Sequence, residues 1–179
     1  MIALLRGVLL VGLCTLMPFA RAQPLSVPEA LSKSEIEVET RLPESHPSVF
    51  FAFAKRLFEV GRRDDAVMWL WVGRLRFRFH LKASPALALD GDPALMASLN
   101  ATVGSTINEW ANGSPRDLSA SIQRALDWDA KSANLITSKE QHGATLAELR
   151  SQFSELASEI LKSEGAIRAS RQAQGLENR

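Results

Sequence analysis

Between Ser48 and Leu81 the apolar side chains recur at helical spacing in two runs parted by Gly61, a pattern that confines this stretch to two helices packed on each other. In the first run Val49, Phe50, Phe53, Ala54, Leu57 and Val60 share a face, with Lys55, Arg56 and Glu59 on the remainder. Pro47 suits the first helical position, where its missing N–H would be unsatisfied anyway, and Gly61 supplies the stop. The second run, from about Arg63 to Leu81, carries Ala66, Trp69, Leu70, Gly73, Phe77 and Leu81 on its apolar face, and Asp64 and Asp65 favour its N-terminal dipole. Residues 74–81 also alternate with period two, as an exposed strand would. No turn signal cuts them off from the helical run before, and no second strand is evident in the sequence to pair with them. Helix is the expectation.

Further helical segments follow. Pro85 and Asp90-Gly91 break the chain, and Asp92-Pro93 reads as an N-cap followed by a first-turn proline. Leu95, Met96, Leu99, Val103, Ile107 and Trp110 then run to a stop at Asn112-Gly113. Ser114 to Asp117 forms a second start signal, and Leu118, Ile122, Ala125 and Leu126 continue to Trp128. After a loop over 132–143, Thr145 and Glu148 have capping-box spacing. Leu146, Leu149, Phe153, Leu156 and Ile160 form a seam of three- and four-residue steps. The expected fold is all-α: a compact bundle of about five helices over residues 48–170, with 171–179 a frayed tail. Hydrophobic residues at 46% suffice for a core in a chain of 179 residues without disulfide or metal staples.

The beginning of the chain bears on compartment. Arg6 precedes an apolar run from Gly7 to Leu16, Pro18 ends it, and Ala20-Arg21-Ala22 has the small-x-small pattern of a signal-peptidase site. The run is too short to span a bilayer, which takes about 20 residues. Residues 1–22 are thus expected to be an export signal cleaved after Ala22, placing the mature chain in the periplasm or outside the cell with no integral membrane segment. Cys14 lies within the signal, so maturation leaves no cysteine, and loss of Arg6 and Arg21 takes the net charge from +1 to −1. Residues 23–47, with Pro24, Pro28, Pro43 and Pro47, are expected to be a loosely ordered leader, with a short helix possible near 29–39. The leader is acidic, and residues 50–82 are basic.

Residues 50–77 resemble a single tetratricopeptide-type helical hairpin. Phe53, Ala54, Leu57, Gly61, Ala66, Leu70 and Gly73 occupy the alternating large and small places of such a repeat, although Phe50 stands near the family's usual Trp and no second copy follows. The small residues let two helices approach closely. The resemblance implies one such hairpin embedded in the bundle, and protein or peptide binding as its use.

The reactive inventory is sparse. His46, His80 and His142 are well separated, no zinc spacing occurs, and the serine-nucleophile and phosphate-loop signatures are missing. No catalytic residue, metal site or cofactor is expected. Asp90 and Asp92 read as turn and cap chemistry. The near-neutral charge gives no field that would draw nucleic acid. The leading expectation is an exported, non-enzymatic module that holds another protein, of the kind that includes toxin-neutralising immunity proteins. Trp69, Trp71, Arg74, Arg76, Arg78 and Phe79, a mixture typical of interface hot spots, would be its contact residues. The rival expectations are an envelope hydrolase using Glu109 with a His such as His80, and a homodimer through Leu146, Leu149, Phe153, Leu156 and Ile160.

Overall fold

The computed structural model describes residues 23–179, and the expected export signal over 1–22 lies outside the described residues. The described chain is all-helical: α1 (Val27–Ser32), α2 (Glu35–Arg41), a 3-10 turn (Leu42–Glu44), α3 (Pro47–Glu59), α4 (Arg63–Ala83), α5 (Asp92–Leu99), a π-helical turn (Asn100–Gly104), α6 (Ser105–Ala111), α7 (Pro115–Lys131), α8 (Gly143–Lys162) and α9 (Glu164–Ala173).

The central element is α4. Every residue from Ala66 to Phe77 is buried, because α3, α6, α7 and α8 surround the helix. The period-two stretch therefore continues the helix. It looks like a strand because two of its three alternating arginines, Arg74 and Arg76, also point inward to polar partners, while Arg78 stays exposed. α3 and α4 form an antiparallel hairpin whose turn uses Gly61 at φ +86°, a conformation that suits glycine. They pack tightly at Gly73, where a Cβ would stand 2.9 Å from Phe50 Cβ and 3.1 Å from the Phe51 ring. Trp69 packs edge-on to Phe53 and Trp128, joining the hairpin to α7.

Three expectations are corrected. The leader is folded: Leu25, Ala30, Val38 and Leu42 are buried in the core. Ser26 and Glu29 cap α1 reciprocally, and Arg56 donates to the Ala30 and Lys33 carbonyls at the end of α1. An ion pair between Arg62 and Glu35 adds a link between basic hairpin and acidic leader. The tail is docked as well. The Arg179 N–H donates to the Gly113 carbonyl at 2.6 Å, and its guanidinium lies over the Trp110 ring. Asn178 donates to the Arg168 carbonyl. Finally, α8 starts at Gly143 with no side-chain cap, so the Thr145–Glu148 spacing is not used.

The seam of α8 faces the domain. Leu146, Leu149 and Phe153 are buried, with Phe153 edge-on to Trp71, whereas Leu156 is exposed and Ile160 half-buried against the core. The residues expected to pair two chains are mostly spent on packing within one.

Candidate functional site

Of the six residues expected at a partner surface, five build the interior. Trp69, Trp71, Arg74, Arg76 and Phe79 are buried, and only Arg78 is exposed, its guanidinium 5.3 Å from the Phe153 ring centre. The physical reason is that α3, α6, α7 and α8 enclose α4 from Ala66 to Phe77, so Arg74 and Arg76 find partners inside. Arg76 donates through Nε to Asp129 Oδ1 at 3.1 Å and through Nη2 to the Ala133 carbonyl, and it stacks on Trp128. Lys139 and Arg150 bind the other oxygen of Asp129 at 3.2 and 3.1 Å. Burial pulls the Arg76 guanidinium below its usual range, against the opposing pull of Asp129.

Among the described residues Arg74 has no carboxylate partner. Its Nε and Nη1 donate to Asn100 Oδ1 and Asn108 Oδ1, both at 2.9 Å, and its guanidinium lies 4.7 Å from the Trp71 ring centre. Burial, helped by the neighbouring Arg78 charge, pushes its pKa down to about 10. The π-helical turn between α5 and α6 accompanies this contact. Asn100 begins that turn and Gly104 ends it, and a Cβ at Gly104 would sit 2.8 Å from Arg74 Nη2.

An apolar trough of about 330 Å³ runs between α1, α3 and α5, lined by Val27, Leu31, Ala52, Leu95, Leu99 and Val103, with Lys55 and Ser48 its only polar members among the described residues. Val27, Leu31 and Leu95 remain 38%, 47% and 39% exposed. A second, smaller hollow shares Lys55 and Val103 and extends past Phe58, Thr106 and Ile107, so the two form one strip along α3. The aliphatic spacing on α5 was legible in sequence; that α1 would fold and supply the opposite wall was not.

At the open end of the hairpin, opposite Gly61, three helix termini meet. His46 is the N-cap of α3, His80 lies in the last turn of α4, and Asp92 is the first residue of α5. His46 Nε2 and His80 Nε2 stand 3.3 and 3.0 Å from the same oxygen, Asp92 Oδ2. His46 Nδ1 meets Ser48 Oγ at 2.9 Å, and His80 Nδ1 meets Thr137 Oγ1 at 3.1 Å. The reading of Asp92 as the N-cap of α5 is thus corrected: Gly91 is the N-cap, and the Asp92 carboxylate turns to two imidazoles that are far apart in sequence. The sequence signal was limited to residue types, since the ligand atoms converge only through the fold.

Glu109 is exposed in a separate hollow with Arg63, Trp110, Arg171 and Arg179, whereas His80 is engaged by Asp92 and Thr137. The acid–base pair of the hydrolase expectation is not brought together. No helix among the described residues is long and apolar enough to cross a membrane. In comparisons with known proteins, no family model, no curated protein and no solved structure matches this chain.

Proposed function

We propose that this chain is an exported, non-enzymatic binding protein that seats an apolar segment of a partner protein in the strip along α3. The tetratricopeptide-type resemblance of the α3–α4 hairpin and the toxin-neutralising kind of exported helical protein both belong to this reading. The observation that carries it is the exposed aliphatic trough formed by Val27, Leu31, Leu95, Leu99 and Val103. Small-ligand sites combine apolar walls with a few convergent polar groups that fix orientation. Here the walls are aliphatic almost throughout and the strip is elongated, a shape suited to successive side chains of a polypeptide. Lys55 on its rim, paired with Glu59, offers charges of both signs beside the apolar floor.

A photo-crosslinking residue at Leu31 or Leu95, in the cells that make the protein, tests this. The reading requires a discrete adduct with a different protein at both positions, lost when the other wall carries Leu31→Glu or Leu95→Glu. It also requires no such adduct from Leu89, which is 86% exposed outside the trough. Adducts of twice the chain mass would replace the partner with a second copy. Equal labelling at all three positions would overturn the reading.

A further inference from the structure

We infer that His46, His80 and Asp92 form a binding site for one first-row divalent metal ion, Zn²⁺ the foremost, with Ser48 and Thr137 as the outer partners of the two imidazoles. This stands independently of the apolar strip.

The argument begins with convergence. A carboxylate has two oxygens with which to serve two imidazoles, yet both Nε2 atoms aim at the single oxygen Oδ2, at 3.3 and 3.0 Å. The three ligand atoms all lie within 4.8 Å of one another. Around a tetrahedral Zn²⁺ with bonds of 2.0–2.1 Å, neighbouring ligand atoms are about 3.3 Å apart. The two histidine–aspartate separations, 3.3 and 3.0 Å, are at or near that length, so seating the ion requires mainly the approach of the two rings. These stand 5.7 Å apart between centres and 82° between planes. Two imidazoles and one carboxylate suit Zn²⁺ and its first-row neighbours rather than Ca²⁺ or Mg²⁺, which prefer oxygen ligands.

The outer partners supply the second argument. A metal-bound histidine uses its other ring nitrogen to donate a hydrogen bond, which fixes the ring and its tautomer. His46 Nδ1 faces Ser48 Oγ and His80 Nδ1 faces Thr137 Oγ1, hydroxyls that can accept such a bond. The Ser48 N–H also approaches His46 Nδ1, at 3.3 Å. That contact belongs to the tautomer with its proton on Nε2, so metal binding exchanges it for the shorter bond to Oγ. Thr137 is itself buried, and the Phe77 ring stands edge-on to His46 at 5.4 Å, so both rings are held from behind. The ligating side chains are 14–33% exposed, enough for an ion to enter and for water to occupy a fourth position.

The test uses untagged mature chain stripped with a chelator. Calorimetric titration should show one Zn²⁺ per chain with micromolar or tighter affinity, and Co²⁺ should give the visible bands of a tetrahedral nitrogen–oxygen site. His80→Ala and Asp92→Ala should abolish binding at those concentrations, Thr137→Val should weaken it by about 10–100-fold, and His142→Ala should leave it unchanged. A readout free of variants is carbethoxylation of the wild-type protein: Zn²⁺ should protect His46 and His80 but not His142. Absence of Zn²⁺ binding by the folded wild type, binding undiminished in His80→Ala, or equal protection of all three histidines would each overturn the site. The cluster would then be a hydrogen-bonded His–Asp–His contact only.

Discussion

A carboxylate withdrawn from water costs stability unless cations hold it, and Asp129, 1% exposed, has Arg76, Lys139 and Arg150 around it. Removing the acid strands Arg76, equally buried, with only the Ala133 carbonyl and the faces of Trp128 and Phe50. Asp129→Ala should therefore destabilise the fold by about 3–5 kcal/mol, the cost of breaking a buried pair by deleting one member. For a domain of this size, the thermal midpoint should fall by roughly 6–20 °C. Urea unfolding of the two proteins measures the difference, and a loss below about 1 kcal/mol would show the cluster to be solvated. The residue types of this network were visible in sequence, but their pairing was not. A helix turns by about 100° per residue, so Arg74 and Arg78 share a side and Arg76 points away. Whether either side meets solvent depends on which helices pack there, and α7 and α8 come from far along the chain. The same holds for His46, His80 and Asp92, which meet only because the hairpin closes and α5 starts beside its open end.

Among the elements, the two long central helices were legible because bulky apolar residues at helical spacing, closed by Gly61, admit few other structures. The short α1 was legible only as helix-forming residues within a proline-rich stretch. Six residues cannot sustain a helix in water, and α1 exists because Ala30 packs on α3 while Ser26 and Glu29 cap its start. This makes α1, and the trough wall it provides, sensitive to acid. Hydrogen bonds from the Ser26 side chain and backbone hold the Glu29 pKa at about 2, well below its ordinary 4.5, against a small opposing effect of burial and with help from Arg41. A carboxylate lowered on folding contributes stability above its unfolded pKa and loses it as pH falls through the folded one. Glu29→Gln should accordingly lower the thermal midpoint relative to wild type at pH 6. The gap should narrow as pH falls from 4.5 toward 2 and close below that. A gap that persists unchanged at pH 2 would mean that the capping box contributes no charge-dependent stability.

At the scale of the whole molecule, the core begins early. Leu25 is buried and its N–H donates to Ser45 Oγ, while the Gln23 carbonyl accepts from Arg41. Cleavage after Ala22 would leave each of these residues in the mature chain, whereas a cut only three residues later would remove Leu25 from its place. A chain beginning at Gln23 keeps both contacts, whereas one beginning after Leu25 loses the buried side chain. The expected product, isolated from the periplasm, begins at Gln23. Ala22→Asp, which places a charge where signal peptidase requires a small neutral side chain, should block processing and leave full-length precursor that still begins at Met1. Mass spectrometry of the N-terminal peptide from each fraction distinguishes the two forms. Uncleaved wild-type protein in the cytosol would remove the exported setting and, with it, any partner met there. A chain starting at Ser26 would predict a lower thermal midpoint than one starting at Gln23, because the buried Leu25 side chain contributes about 1.5–3 kcal/mol on transfer from water.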